Sequence, residues 1–167
     1  MQSPTARPTV PGRKGQGELR LTAALFCERI LQEKDESLSA IRIADRITVD
    51  VVAQADIPNG VAIPIPTVLL LVFRKERGVE GRHHITVNGE DPKGLSVFTG
   101  QADVVIAEGE GKGANLILRF QFGAKVGGFY WFNVEADGQQ MTRIPLEVVI
   151  TRAGASALAR DDSRGQR

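Results

Sequence analysis

The sequence predicts an all-β protein, folded as an antiparallel β-sandwich of seven or eight strands. Three observations support this fold class. Apolar and polar side chains alternate at period two through most of residues 19–151, as they do in strands that cover one core. No long amphipathic helix pattern interrupts this alternation. With 167 residues and a 42% hydrophobic composition, the chain can bury a core without the help of disulfides or metals.

The first half of the chain holds the opening strands of this sandwich. Alternation predicts one strand at residues 19–27 and a second at residues 41–51, with about two helical turns at residues 28–34 between them. The segment 63–66 contains two prolines, which cannot donate to a central ladder, so we expect a crossover or an edge strand there. Residues 67–73 are apolar at both parities, which indicates a strand buried on both faces.

The second half continues the same alternation. Residues 83–88 predict a short strand that ends at the turn signal Asn88-Gly89. Residues 102–107 are expected to pair with residues 115–122. The glycine-rich segment 108–113 between them lacks the spacing and the following helix of a phosphate-binding loop, so we expect a plain hairpin loop.

The most clearly marked hairpin closes the domain. Residues 129–136 and 141–150 alternate on either side of the Asp137-Gly138 turn signal. Pro145 lies at the outer parity of the second strand, which is typical of an edge. The inward positions of the two strands are Tyr130, Phe132, Val134, Ile144, Leu146, Val148 and Ile150.

The two ends of the chain are polar. Residues 1–18 and 152–167 are expected to be flexible arms, which leaves the β-sandwich domain at residues 19–151. The formal net charge of +1 is too small for a dedicated nucleic-acid binder. The longest apolar run, residues 68–73, is far shorter than a membrane span, and the first residues do not have the pattern of a signal peptide. Since the chain also has a single cysteine, we expect a cytoplasmic protein that binds neither nucleic acid nor membrane.

Side chains capable of catalysis or metal binding are few. The two histidines, His83 and His84, are adjacent in a predicted strand and therefore face opposite sides, so they cannot chelate one ion together. No nucleophile elbow occurs, and Cys27, at the inward parity of the first strand, is expected to be a buried and inert thiol. The sequence therefore predicts no catalytic, cofactor-binding or metal-binding residue, and we do not expect an enzyme.

Asp45 is the most informative polar residue, because it interrupts the apolar face of the strand predicted at residues 41–51. An acid at such a position is paired with an arginine, turned outward by a bulge, or part of a site. Arg42 and Arg46 flank it in the sequence. These three residues are therefore one group of candidate binding residues.

Trp131 is the other candidate binding residue. Its parity is opposite to that of the inward-facing Tyr130 and Phe132. A large aromatic side chain in that position needs cover from another part of the chain, such as the C-terminal tail or the glycine-rich loop, or it serves as an interaction anchor.

Two segments resemble a known family. Residues 21–28 (LTAALFCE) and 38–49 (LSAIRIADRITV) are similar to the opening strands of a family of short bacterial proteins that is known as an uncharacterised domain. The resemblance extends over about residues 19–150. It implies a bacterial, cytoplasmic β-domain and supplies no activity.

The closing hairpin resembles the last two strands of immunoglobulin-like domains. The resemblance lies in the glycines before an aromatic strand, Gly127-Gly128-Phe129-Tyr130, and in the tight Asp-Gly turn. It implies an immunoglobulin-like sandwich in which Tyr130 is the corner tyrosine, whose hydroxyl bonds back to the backbone. The cysteine pair of antibody domains is absent, because the chain has one cysteine.

Two functions follow from these features as hypotheses. The first is a non-enzymatic protein-interaction module, which binds an unknown protein partner through an edge strand or through the face that carries Trp131. The alternative is a domain that binds a small ligand or carbohydrate, with Trp131 as a stacking platform and Asp45 nearby. An enzyme that uses Asp45 with Arg42 or Arg46 is the weakest hypothesis, because no matched acid–base pair is evident. Edge strands can also pair between copies, so a homo-oligomer is among the expected assemblies.

Overall fold

The period-two alternation of the sequence is realised as strands throughout the described part of the chain. A computed structural model describes residues 19–35, 37–52, 61–75, 79–109 and 113–153; the rest of both predicted arms and residues 110–112 of the glycine-rich loop lie outside these ranges. Within them the regular structure is entirely β, and no helix is long and apolar enough to cross a membrane. The strands are β1 (Leu19–Gln32), β2 (Leu38–Ile43), β3 (Arg46–Val52), β4 (Ile63–Lys75), β5 (Gly81–Glu90), β6 (Ser96–Ile106), β7 (Gly113–Ala124), β8 (Gly128–Ala136) and β9 (Gln139–Ala153).

These nine strands form two sheets, which confirms the all-β sandwich. The four-stranded sheet has the order β2-β1-β4-β7 and the five-stranded sheet has the order β3-β9-β8-β5-β6. Neighbouring strands are antiparallel except β3 and β9, which are parallel. The neighbours β4-β7 and the run β9-β8-β5-β6 correspond to strands B-E and G-F-C-C′ of an immunoglobulin sandwich. The chain therefore has an immunoglobulin-like strand order, with one parallel pair that alternation alone does not predict.

The core lies between the two sheets and is rich in aromatic rings. Phe132 of β8 has its ring centroid 5.0 Å from that of Phe26 and 5.4 Å from that of Phe122, both in edge-on geometry. Such pairs add to the free energy gained by burying the rings, about 1.5–3 kcal/mol for each large apolar side chain. Burial is nearly complete for Tyr130, Phe73, Phe122, Phe132, Ile65, Leu69, Leu71, Ile85, Ile106 and Leu146.

Strand β4 is buried on both faces, as its double apolar pattern predicts. Leu69 and Leu71 point into the main core, whereas Val68 and Leu70 belong to a second apolar cluster on the outer side of the four-stranded sheet. The distal part of the β1–β2 hairpin contributes to this outer cluster. Its members are Cys27, Ile30, Val68 and Leu70, with Leu25, Leu38, Ala40, Val72 and Ile117 packed against them.

The helix predicted at residues 28–34 is wrong. Strand β1 continues to Gln32 and pairs with β2, with Ile30 opposite Ala40. Two helical turns are marginal in isolation, whereas the hairpin gains ladder hydrogen bonds and buries Ile30 in the outer cluster. Tertiary burial therefore overrides the local helix preference.

The single strand predicted at residues 41–51 is divided between the two sheets. Strand β2 ends at Ile43 in one sheet and β3 begins at Arg46 in the other. At the break, the Ala44 amide donates to the Phe26 carbonyl at 2.9 Å and the Glu147 amide donates to the Asp45 carbonyl at 2.8 Å. The polar residue that interrupts the alternation marks the point where the chain crosses between sheets.

Two other pairing expectations are also wrong. Strand β6 pairs with β5, not with β7, and β6 and β7 are edge strands of opposite sheets. Asn88-Gly89 lies inside β5, not in a turn. A Cβ atom at Gly89 would lie 2.7 Å from Cε1 of Phe132, so the glycine accommodates a close aromatic ring. Alternation identifies strands, but it does not identify their partners.

The prolines occupy positions where a strand has one neighbour. Residues 63–67 of β4 pair with β7 alone, since pairing with β1 begins at Val68. Pro145 of β9 likewise has a neighbouring strand on one side only, because the pairing of β9 with β3 begins at Glu147, opposite Arg46. Both segments are thus local edges in strands that are otherwise central, which is where proline is tolerated.

The closing hairpin has the predicted geometry. Asp137 and Gly138 form its turn with φ angles of 50° and 78°. The hydroxyl of Tyr130 donates to the carbonyl oxygen of Val126 at 2.8 Å, as in the tyrosine corner of immunoglobulin-like domains. This bond joins the start of β8 to the preceding loop and so fixes the position of β8 at that end.

Candidate functional site

The connection between β2 and β3 borders an open cleft of about 760 Å³, which we call the crossover cleft. Its walls come from β1, β2, β3, β4 and β7. Three of the four candidate residues, Arg42, Asp45 and Arg46, meet in this cleft. The lining residues are Cys27, Glu28, Arg42, Ile43, Ala44, Asp45, Arg46, Ile47, Thr48, Pro66, Thr67, Val68, Arg119 and Phe120.

Arg42 has an unusual backbone conformation at the end of β2. Its φ angle is 51°, in the left-handed region that non-glycine residues seldom adopt. Its Nη1 donates to Oε2 of Glu28 on the neighbouring strand at 3.0 Å, and both side chains are largely exposed. The surrounding structure holds Arg42 in this conformation where the chain leaves β2 for the crossing to the other sheet.

Asp45 is exposed in the connection between the two sheets. The sequence offered two structural explanations for an acid at this position, an ion pair with an arginine or an outward turn of the side chain. The structure has the side chain turned outward. Its carboxylate has no hydrogen bond or ion pair with the described residues, although its charge acts on Arg46 and helps to raise the pKa of that guanidinium. Asp45 therefore contributes to the cleft a negative charge that no described side chain pairs with directly.

Arg46 connects the cleft to the outer face of the five-stranded sheet. Its Nε donates to Oε2 of Glu147 on β9 at 2.6 Å, and this hydrogen bond is the main cause of the raised pKa of Arg46. Glu147 is in turn paired with Phe129 of β8 in the sheet register. The Arg46 side chain is 60% exposed and that of Glu147 is 26% exposed, so water screens the ion pair in part and we expect a modest contribution to folding stability.

Sequence reasoning missed two residues of the cleft, Arg119 and Cys27. Arg119 is an exposed residue of β7 and lies opposite Val68 of β4. It makes no hydrogen bond or ion pair with any described residue. Cys27 is buried, as expected, and burial raises the pKa of its thiol. It faces the outer cluster, however, and not the main core.

A β-bulge at Thr22 explains the position of Cys27. The register of β1 with β4 shifts by one residue between Leu21 and Ala23. A one-residue shift moves every following side chain to the other face, so Phe26 turns into the core and Cys27 turns out of it. The sequence signal for this bulge was Phe26, a large aromatic residue at the parity that alternation from Leu19 assigns to the outer face.

Trp131 lies away from the cleft, on the outer side of the five-stranded sheet. The guanidinium carbon of Arg143 lies 4.6 Å from the centre of the indole ring, and Nη2 of Arg143 bonds to Glu90 at 3.2 Å. The ring of Phe129 is 6.5 Å away, and 52% of its surface is exposed. Among the described residues, Arg143 on the neighbouring strand β9 covers Trp131. The C-terminal tail beyond residue 153 and residues 110–112 of the glycine-rich loop lie outside the described residues, so the expectation that they supply cover stays a prediction. We call the surface formed by Phe129, Trp131, Arg143 and the adjacent Pro145 the aromatic face.

A shallow polar depression of about 500 Å³ adjoins the aromatic face at Glu90. It is lined by side-chain amides and carboxylates, which can bond to hydroxyl groups or to a peptide backbone. Its lining residues are Asn88, Gly89, Glu90, Gly94, Ser96, Asn133, Glu135 and Gln140.

The two histidines face opposite sides of β5, as predicted. Nδ1 of His83 is 2.7 Å from Oδ2 of Asp137 and Nε2 is 3.0 Å from the Val79 carbonyl, so both ring nitrogens have acceptors. Burial acts to lower the pKa of His83, but these hydrogen bonds outweigh burial and raise it. His84 bonds to Asp103 on the exposed side. Neither ring is arranged with other ligands, since no three His, Cys, Asp or Glu side chains of the described ranges could hold a metal ion together.

Comparison with known proteins identifies the family. Residues 22–149 match the model of a family of unknown function, DUF6941. The chain belongs to this family. The DUF6941 match confirms the resemblance inferred from the first strands, and it includes both the crossover cleft and the aromatic face.

Two further comparisons add less. No curated protein sequence matches the chain. The chain is similar to a crystal structure described as an immunoglobulin-like protein from Pseudomonas aeruginosa, with a TM-score of 0.40 and 13% sequence identity over 80% of this chain and 98% of that chain.

Proposed function

We propose that the protein is a non-enzymatic interaction module that binds a protein partner through its aromatic face. One observation carries the proposal: the half-exposed ring of Phe129 lies beside Trp131, which is stacked under Arg143. Aromatic residues and arginine are the side chains that most often dominate binding energy at protein interfaces. Contiguous apolar surface, such as the neighbouring rings of Phe129 and Trp131, marks interaction sites more often than single exposed residues do.

The surroundings of the aromatic face support this role. Phe129 and Trp131 are carried by β8, an interior strand that is held at its start by the tyrosine corner. Charged side chains lie at the periphery, with Glu90 bonded to Arg143 on one side and Glu147 on the other. A rigid apolar centre within a charged rim is typical of binding surfaces that need little rearrangement.

A non-enzymatic role is supported by the state of the titratable groups. Both nitrogens of His83 are engaged, and His84 is bonded to Asp103. Asp45 shares the cleft with a second carboxylate, that of Glu28, which is engaged in its hydrogen bond from Arg42. A bacterial, cytoplasmic setting belongs to the same proposal and rests on the single cysteine and the sequence resemblance.

A carbohydrate or small-ligand site at Trp131 is the second candidate. The polar depression beside Glu90 favours it, because amides and carboxylates next to an indole ring are suited to sugar hydroxyls. The Arg143 guanidinium covers one face of the indole, so a stacked sugar has to displace it or use the other face. Quenching of the lone tryptophan by a panel of sugars and small ligands separates this candidate from the interaction module.

The test of the interaction module is affinity capture with the full chain from nuclease-treated lysate of the source organism. Phe129→Ser removes the exposed ring of the aromatic face. Val105→Ser is the matched control, because Val105 is a similarly exposed apolar side chain on the edge strand β6. We expect a stoichiometric partner that the wild type and Val105→Ser retain and Phe129→Ser loses. Equal recovery with both variants contradicts binding through this face.

A second copy of the chain is also a candidate partner, through the edge strands β2, β3, β6 or β7. Light scattering of the purified protein over a range of concentrations measures this. A mass that doubles with concentration supports self-association, and a constant monomer mass excludes it over that range.

A further inference from the structure

The crossover cleft collects positive charge from three strands. Arg42 comes from β2, Arg46 from β3 and Arg119 from β7. Glu28 neutralises the first and Glu147 the second. Arg119 has no such partner in the described part of the chain, so its planar fork of donors is available to an anion.

The surface beneath these charges is apolar. Val68 and Cys27 form part of it and are buried in the outer cluster. Ile43, at the rim, is 66% exposed although it is a large aliphatic side chain. Pro66 and Phe120 complete the apolar lining. A ligand that fits this cleft therefore has an apolar body and an anionic group.

We propose that the crossover cleft binds a carboxylate carried on an apolar chain, with the carboxylate at Arg119. The apolar portion packs against Ile43 and Val68. Arg42 also lines the cleft, where Glu28 is its ion-pair partner. Guanidinium and carboxylate match in geometry, because two parallel N–H donors meet two oxygen atoms.

Asp45 places a negative charge in the same cleft. Its carboxylate has no hydrogen-bonded partner among the described residues, so it repels an anion there and offsets part of the attraction by Arg119. The proposal is independent of the aromatic face, since neither Phe129 nor Trp131 lines the cleft.

The same ligand chemistry has two sources, a free aliphatic acid and the C-terminal carboxylate of a peptide with apolar last residues. Two-dimensional amide NMR of the full chain distinguishes them. One arm uses sodium hexanoate with hexanamide as its neutral analogue. The other uses a short peptide that ends in two leucines, with a free or an amidated C-terminus. We expect the charged member of at least one pair to shift the amide signals of Ile43, Ala44 and Arg119, and the neutral member to leave them unchanged.

Two variants in the cleft are expected to act in opposite directions. Arg119→Gln weakens binding about tenfold, because it removes a charge-assisted hydrogen bond. Asp45→Asn strengthens binding about two- to threefold, because it removes a repelling charge. Arg82→Gln is the matched control and leaves the affinity unchanged, because Arg82 is an exposed arginine of β5 that lies outside both the crossover cleft and the aromatic face. Opposite effects of two conservative surface substitutions cannot result from a general loss of folding.

The outcomes separate the two sources and test the proposal itself. A peptide that binds at least tenfold more tightly than hexanoate identifies a protein C-terminus, and the reverse order identifies a free acid. The proposal is overturned if neither acid shifts these signals, if the neutral analogues bind equally well, or if Arg119→Gln leaves the affinity unchanged.

Discussion

The hydroxyl of Tyr130 connects the start of the closing hairpin to the loop that precedes it. The side chain is fully buried, and its hydroxyl donates to the Val126 carbonyl at 2.8 Å. Its ring packs against Phe122, with centroids 5.2 Å apart. Tyr130→Phe keeps the ring and its packing and removes the hydrogen bond alone.

The expected loss follows from what remains after the substitution. A neutral hydrogen bond contributes about 0.5–1.5 kcal/mol, and a carbonyl left without its donor costs about 1–3 kcal/mol when it is buried. Val126 is half-buried, so water satisfies its carbonyl in part. We therefore expect Tyr130→Phe to lower the free energy of unfolding by about 1–2 kcal/mol.

Urea denaturation followed by tryptophan fluorescence measures this loss. At a slope of about 1–3 kcal/mol per molar, the urea midpoint moves down by about 0.3–2 M. Phe129→Leu is the control, since it alters the exposed neighbour and should change the free energy of unfolding by less than about 0.5 kcal/mol. If Tyr130→Phe is as stable as the wild type at an unchanged slope, the hydroxyl does not stabilise the hairpin and this reasoning fails.

Three other predictions concern pH, packing and the aromatic face. The pKa of His83 is raised in the folded state, so protonated His83 stabilises the fold fully below about pH 6.5, and this stabilisation is lost as the pH rises through the pKa of the folded state. The urea midpoint of the wild type should fall over this pH range, and that of His83→Gln should not. Gly89→Ala places a methyl group 2.7 Å from the buried Phe132 ring and should destabilise the fold by about 1–3 kcal/mol, measured by thermal unfolding; an unchanged melting temperature would show that the ring can move aside. Arg143→Ala uncovers Trp131, so its emission should shift to the red and iodide should quench it more strongly, and an unaltered spectrum would contradict the stacking.

The success of sequence reasoning on this fold came from patterns that are local in the chain. The closing hairpin was identified because alternation on both strands and an Asp-Gly turn lie within 25 residues. The double burial of β4 was identified because residues 67–73 are apolar at both parities. Such signals depend on strand geometry, which is the same in any sheet.

The errors arose where a single local event changes everything that follows it. The bulge at Thr22 exchanged the faces of the rest of β1, so Cys27 was assigned to the wrong side. The break at Asp45 sent β3 to the other sheet, although the alternation of residues 41–51 continues almost without interruption. Neither event has a reliable signature in residue type, because a bulge and a crossing depend on what the neighbouring strands offer.

The candidate site was only partly accessible from the sequence. Arg42, Asp45 and Arg46 were found together because they are close in the chain, and Trp131 was found because of its parity. Arg119 was missed because only the pairing of β4 with β7 brings it to the cleft. Arg143 was missed because only the register of β8 with β9 places it near the indole ring of Trp131.

The amino-acid sequence by itself determined that this chain is an all-β sandwich, where most of its strands lie, and which side chains are exceptional within them. Those properties follow from period-two alternation and turn chemistry, which act over a few residues. Only the tertiary structure decided which strands are neighbours, that β3 runs parallel to β9, and that three arginines share one cleft. These outcomes depend on contacts between residues that are far apart in the chain, such as Arg46 and Glu147, which are 101 positions apart. A local pattern carries no information about such pairs.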